Sequence, residues 1–300
     1  MRLLLSGIGT IWLAATLAFF ALRLLPGDAI ADQLSRGGAT EAQIQERRDA
    51  LGFDAPLPVQ YSRFLFGLVR GDLGYSLTSS QRVSDLIASQ FWPTFTLAVS
   101  ALTVAILLGM LLGLIAVLPR NAGIPARLLI HLSVSIPIYW SGTVAIYIFS
   151  VLLNLLPATG SGSALHLILP VGVLGFHSGG AIARVVQTNV QSVYQEPFIQ
   201  TARGKGLPEH VVLWRHTLRV ALLPVITVIA LQAGILLGGV VITESLFVRP
   251  GIGQLLLRAT IDRDYPVVQG IVVLSAVVYM LLNLTAEGLY RLLDPRLAVQ

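Results

Sequence analysis

The side chains with most chemical potential cluster at 196–224, a polar, basic stretch that opens Glu-Pro-Phe-Ile-Gln-Thr-Ala-Arg-Gly-Lys-Gly-Leu-Pro-Glu-His and closes Leu222-Leu223-Pro224. A lysine among glycines, as in Gly204-Lys205-Gly206, can belong to a phosphate-binding loop. Here the preceding glycine spacing and the following Ser or Thr are missing, so no nucleotide site is expected. Gly160-Ser161-Gly162-Ser163 followed by His166 pairs a hydroxyl with an imidazole. It lacks the strand-to-helix elbow that exposes a hydrolase serine, and a flexible turn fits it better. No His-Glu-x-x-His occurs. The chain has no cysteine, so disulfides, thiolate metal sites and cysteine nucleophiles are excluded. These residues read as a surface to be acted upon, without catalysis or a cofactor of their own.

The elements around them are membrane elements. Of 300 residues, 55% are hydrophobic and 12% charged, with a mean hydropathy of +0.78, too apolar for one aqueous core. Six runs meet the requirement of about 20 apolar residues per span: Leu3–Leu25, Phe95–Leu118, Leu128–Leu156, Leu165–Val186, Val220–Ile242 and Val267–Leu289. The first exceeds a signal-peptide core and has no small-residue cleavage site before Pro26, so it reads as an uncleaved span, with Arg23 snorkelling at its end. With the amino terminus inside, inner segments hold ten basic residues against four acids, and outer segments ten against eleven. Most outer basic residues lie in one long insert that translocates regardless of charge, so both termini are expected inside. The net charge of +5 follows this pattern and forms no aromatic-interleaved stripe, so nucleic acid is not an expected partner.

The expected organisation is all-α: a first transmembrane helix at 1–26, an extracytoplasmic helical insert at 27–94, and a core at 95–300 with a cytoplasmic loop at 194–219. In the insert, Thr40-Glu41-Ala42-Gln43 reads as a capping box for a helix ending near Gly52. Pro58 starts a second piece with Tyr61, Leu65 and Leu68 on one side, and Ser80–Ala88 reads as a third helix on the membrane surface. A docking platform and a cap over the spans are both compatible with it. Gly109 and Gly113, and Gly234, Gly238 and Gly239, have helix-packing spacing. Pro137, Pro170 and Pro224 should bend their spans. His177, Gln232, Gln269 and Asn283, with Glu287 near an edge, either bond between helices or line a polar path.

Within 196–224, Glu196 and Pro197 suit a helix start. A short helix Phe198–Arg203 is expected to break at Gly204 and Gly206, and Pro208 to open a second helix to about Leu218, carrying Val211, Val212 and Trp214. Such a knob fits a groove on a soluble partner; a connection resting on headgroups has the same composition.

Gln200-Thr201-Ala202, then Gly206 and a later Leu-Leu-Pro, resembles the EAA loop of bacterial ABC-importer permeases. The run Thr201-Ala202-Arg203-Gly204-Lys205-Gly206-Leu207, with Arg215-His216 and Ala221-Leu222-Leu223-Pro224, resembles more narrowly the dipeptide/oligopeptide/nickel permease family. The likeness covers almost the whole chain, from Leu24-Leu25-Pro26-Gly27-Asp28, Leu51-Gly52-Phe53-Asp54, Pro56-Leu57-Pro58-Val59-Gln60-Tyr61 and Gly71-Asp72-Leu73-Gly74 to Pro250-Gly251-Ile252-Gly253, Asp264-Tyr265-Pro266-Val267-Val268-Gln269-Gly270 and Leu293-Asp294-Pro295-Arg296. It points to the first permease of a pair. Two departures stand out: Gln200 replaces the loop's leading acid, and the glycine-to-proline gap is longer than in the generic pattern.

The resemblance implies a multi-pass permease of the bacterial inner membrane. Its implied partners are a homologous second permease, two cytoplasmic ATPase subunits that hold ATP and magnesium, and an extracytoplasmic solute-binding protein. It implies that Glu196, Pro197, Phe198, Gln200, Thr201, Ala202, Arg203, Gly204, Lys205 and Gly206 couple the chain to an ATPase. Peptides, nickel or metal chelates, glutathione and some sugars are the substrate classes it leaves open, and Arg249 is either an anion contact or an ordinary surface charge. The rival reading is a stand-alone secondary transporter or channel, which would show inverted repeats and intramembrane charges. The purified chain alone is expected to show no ATPase activity above background; measurable turnover would overturn the division of labour.

Overall fold

The computed structural model describes residues 2–24, 31, 40–237 and 240–293, and every regular element among them is a helix. In chain order these are α1 (Arg2–Arg23), α2 (Glu41–Leu51), α3 (Leu57–Val69), α4 (Val83–Ala116), α5 (Arg120–Ser135) and α6 (Ile138–Ile146, continued by a π-helical stretch Tyr147–Leu152). Then come α7 (Leu165–Tyr194), α8 (Pro197–Gly204), α9 (Glu209–Ala221), α10 (Leu223–Leu237), α11 (Val241–Leu246), α12 (Ile252–Ile261) and α13 (Tyr265–Leu293). The Pro26-Gly27-Asp28 and Asp294-Pro295-Arg296 motifs, Gly238 and Gly239 lie outside the described residues, as does the side chain of Glu287.

Helices α1, α4, α7 and α13 are long and apolar enough to cross a membrane, and the bent pairs α5–α6 and α9–α10 bring the number to six. The run expected as one span at 128–156 is broken, with its halves bent by 108°. Pro137 explains the break: its ring excludes the preceding residue from the helical region, and Ile136 is extended at φ −84°, ψ 133°. The second pair bends by 54° at Leu222, and Pro224 stands in the first turn of α10, where a missing N–H is harmless. Pro170 lies inside a continuous α7. The separate surface helix expected at Ser80–Ala88 does not form; Val83 opens α4, which runs through Pro93 to Ala116.

The chain divides into two compact units. The first comprises residues 1–94 and 250–280. Its α2 starts as the sequence predicts, with the Thr40 amide donating to Gln43 Oε1 at 2.9 Å. Helix α3 is fastened to α1: Tyr61 Oη and Thr16 Oγ1 are 2.7 Å apart, and the Tyr61 ring meets Phe19 edge-on. Arg23, expected to snorkel at this end of α1, packs against its own helix and α3. Its guanidinium lies 3.6 Å over the Phe19 ring and its Nε donates to Gln60 Oε1 at 3.1 Å. The core joins Val83 and Ile87 of α4, Ile252 and Ala259 of α12, and Val267, Val268 and Ile271 of α13.

Beside this core a single carboxylate closes the unit. Asp264, 1% exposed, accepts from Ser76 Oγ at 2.5 Å, the Leu77 amide at 3.1 Å, the Thr78 amide at 3.2 Å and Thr78 Oγ1 at 2.8 Å. Tyr265, next in sequence, packs on Leu77. Thr94 Oγ1 likewise accepts the Ile252 amide at 2.8 Å and closes the start of α12.

The second unit comprises residues 95–249 and 281–300. Here α4 and α7 approach closely through the small residues the sequence singles out. A Cβ at Gly109 would sit 2.7 Å from Ile182 Cβ, and one at Gly113 2.6 Å from Val186 Cβ. His177 of α7 meets Ser141 of α6, with Nε2 and Oγ 2.7 Å apart, an interhelical bond of the kind expected. Gln232 is half-buried and Asn283 exposed.

Replacing Asp264 by Ala takes the acceptor from the buried Leu77 amide, the partly exposed Thr78 amide and two hydroxyls, which should cost about 2–3 kcal/mol. Thermal unfolding of the purified protein checks this: the midpoint should fall for Asp264→Ala and fall less for Asp264→Asn, which keeps one acceptor oxygen. An unchanged midpoint in both would remove the clasp from the forces holding the unit.

Candidate functional site

The stretch from α7 to α10 is built locally from its punctuation. Glu196 caps α8 in extended conformation, φ −69° and ψ 143°, and its carbonyl accepts the Ile199 amide at 3.0 Å. Pro197 takes the first turn, where its missing N–H is free of consequence. The Glu196 carboxylate makes no capping bond and contributes its charge to the positive helix end.

Helix α8 runs through Gly204, so that glycine does not break it; Gly206 does. At φ +77° Gly206 is left-handed, its amide donates to Arg203 O at 2.9 Å, and the Leu207 amide donates to Ala202 O at 3.4 Å. This is a Schellman closure, which places glycine at that position.

The eight residues of α8 have two faces. Ile199 and Ala202 are buried with Val190 and Val193 of α7 and with Val212, Leu218 and Ala221 of α9. Ala202 therefore anchors the helix to its own chain and presents nothing outward. Glu196, Pro197, Phe198, Gln200, Thr201, Arg203, Gly204, Lys205 and Gly206 are exposed together, and Phe198 leaves 43% of its surface open. Helix α9 follows Pro208 as expected but runs to Ala221, with a π-helical stretch Val212–Thr217. Its Val212 is buried and its Trp214 exposed.

Two residues outside the expected set complete the site. Arg203 Nε donates to Glu209 Oε1 at 2.8 Å and its terminal nitrogen to Oε2 at 3.1 Å, while the guanidinium lies 5.2 Å from the Tyr194 ring centroid. The Glu209 hydrogen bonds raise the arginine's pKa above its ordinary value, so the cation persists at any physiological pH. The sequence carried only a faint signal for this pair. Six residues separate the partners, outside the i, i+4 rule, and only the reversal at Gly206 brings them together.

Arg249 is neither a surface charge nor an open anion contact. It is 4% exposed and donates to His166 O at 3.2 Å and Gly160 O at 3.4 Å, while the Gly160 amide donates to Phe247 O at 2.9 Å. These bonds tie the loop at 160–166, expected as a flexible turn, to the segment at 247–249. Its Ser163 hydroxyl and His166 Nδ1 are 3.0 Å apart inside one turn, without an elbow to present a nucleophile. Among the described residues no group of three or more His, Asp or Glu side chains is placed to hold a metal.

Known proteins match this arrangement along the chain. Residues 105–299 match the family described as binding-protein-dependent transport system inner membrane component. The chain is 39% identical to the glutathione transport system permease protein GsiC of Pectobacterium atrosepticum, over 98% of this chain and 97% of that protein. Against the protein of the same name from Escherichia coli K12 the identity is 38% with the same coverage. Among solved structures, a chain of the MetNI methionine ABC transporter in an inward-facing conformation aligns with 70% of this chain and 96% of its own at a TM-score of 0.59 and 16% identity. A chain of an amino acid ABC transporter aligns over 71% and 94% at 0.52 and 17%. At such identities the structures speak for the fold and the sequence relatives for the family: this chain belongs to the inner-membrane permeases of binding-protein-dependent ABC importers, and as a permease subunit it is not itself the ATP-hydrolysing enzyme.

Proposed function

We propose that the chain forms one half of a translocation path for glutathione or short peptides, and that α8 is the helix through which a cytoplasmic ATPase drives it. The supporting observation is the division of α8 into two faces. Ile199 and Ala202 fasten it to α7 and α9, while Phe198, Gln200, Thr201 and Lys205 are presented outward on a helix too short to stand alone. An exposed aromatic ring on an anchored helix suits a protein groove. In this reading both termini and α8 face the cytoplasm, in line with the basic-residue count. The partners are a second permease, two ATPases and a solute-binding protein. Closure of the ATPases shifts α8 as a lever, and the spans follow because the two end states make different contacts.

The relatives' names favour a thiol tripeptide or peptide substrate, and nickel is not carried forward. The stand-alone carrier is set aside with family membership. Proteoliposomes holding the complete transporter should accumulate labelled glutathione or di- and tripeptides only with ATP and binding protein present. Uptake without ATPase subunits would sink the proposal.

Gly206 gives a sharper test. Open space surrounds its would-be Cβ, so a substitution suffers only from the left-handed backbone, about 1–2 kcal/mol for a β-branched residue. Gly206→Val should lower uptake several-fold in assembled transporter, and Gly206→Asn, which tolerates that conformation, should retain most of it. Equal uptake by the two variants would show that the turn does not matter to transport.

A further inference from the structure

We propose that Arg203, Glu209 and Tyr194 form a positioning clamp that makes α7, α8 and α9 one rigid piece, so that a push on α8 reaches the spans instead of bending the chain at Gly206. The inference rests on the assignment of α8 as the coupling helix. Helix α8 has about two turns, and its apolar anchor holds one face only, through Ile199 and Ala202. Residues 205–208, which leave it, include the left-handed Gly206 with nothing packed around its Cα side. Left to these, the helix could pivot about its buried edge.

Arg203 removes that freedom. It sits in the last turn of α8, its two nitrogens meet both oxygens of Glu209 in the first turn of α9, and its plane lies by the ring of Tyr194, the last residue of α7. Three helices therefore end or begin on one guanidinium. The fork-to-fork geometry fixes orientation as well as distance, which a lysine could not do. Each charge also complements its own helix dipole, the cation at the carboxyl end of α8 and the carboxylate at the amino end of α9. The pair is partly open to solvent, with side chains 36% and 65% exposed, so it adds little to global stability, and variants should fold. What it supplies is direction.

Hydrogen exchange of the amides at 197–207 in the purified chain tests the clamp without reference to transport. Glu209→Gln and Arg203→Lys should each speed exchange of α8 about three- to tenfold, leaving the middle of α7 unchanged. The exchanged pair Arg203→Glu with Glu209→Arg restores the ion pair but opposes both helix dipoles and takes the cation from Tyr194, so it should exchange more slowly than either single charge-reversal variant without reaching the parent. At roughly 1 M salt, where screening acts over about 3 Å, the parent should move toward the variants. In proteoliposomes with the complete transporter, Glu209→Gln should lower substrate moved per ATP hydrolysed about three- to tenfold, with partial recovery in the exchanged pair relative to Arg203→Glu alone. Unchanged exchange in both single variants overturns the clamp whatever α8 does. Faster exchange with unchanged transport per ATP overturns its positioning role. Phe198→Ala and Gln200→Ala, which leave the clamp intact, test the underlying assignment: if neither weakens association with the ATPase, α8 is not the coupling helix, and the clamp's role in transport falls while the exchange result stands.

Discussion

In hydrocarbon a backbone amide or carbonyl has no water to turn to, so wherever an apolar helix stops, the protein must close the gap itself. The polar side chains of this chain are scarce, and several are found at such ends. The break at Ile136 and Pro137 is flanked by Ser141, bonded to His177 of α7. The turn after α11 is closed by Arg249 donating to two main-chain carbonyls. The turn between α12 and α13 is closed by Asp264 accepting two amides and two hydroxyls. The buried Asp264 carboxylate, with both oxygens hydrogen-bonded, holds its loops in one geometry, whereas an unpaired charge would be expelled.

Because the ends are fixed, motion has to pass through whole helices. Helix α7 spans 30 residues, about 45 Å at 1.5 Å per residue, and continues through Gln195 and the cap residue Glu196 into α8. Gly109 and Gly113 of α4 receive the Ile182 and Val186 side chains of α7, and Gly180 receives the last turn of α5 so closely that a Cβ there would overlap Ser133 Oγ. Such close packing leaves little compliance. In the coupling reading, a displacement at residues 197–204 is carried by packed helices with few soft joints.

Much of this was legible in the sequence, for reasons that mark where the rest was not. Span lengths, the capping box at Thr40, the proline start of α8 and the tight pair Gly109 and Gly113 are local patterns, fixed by neighbours within a few residues. Pro137 was legible as a bend but not as a bend of 108°, because proline forbids a conformation without choosing the next one. The helix expected at Ser80–Ala88 was misread as separate from the span, since a proline inside a packed helix, here Pro93, can leave the helix intact. The clasp at Asp264 joins residues 188 apart in sequence, and the Arg203–Glu209 pair needs a left-handed turn between its members. Arg249 misled for the same reason: a charge before Pro250 looks like a loop charge until its acceptors, more than 80 residues upstream, are seen.

The replacement of the loop's leading acid by Gln200 also takes on a physical meaning. Arg203 is neutralised by Glu209, so the outward face of α8 offers Phe198, two uncharged polar groups at Gln200 and Thr201, and one charge of each sign at its ends, Glu196 and Lys205. A partner bound there gains little from salt bridging. Covering the 43% of Phe198 that is open is worth about 1 kcal/mol, at least what a solvent-exposed ion pair returns. In the coupling reading, affinity then comes from shape and apolar contact and weakens little with salt, while the charged pair behind the face serves orientation. Separating the group that binds from the group that aims lets the helix engage and release its driver in each cycle without losing its register on the spans.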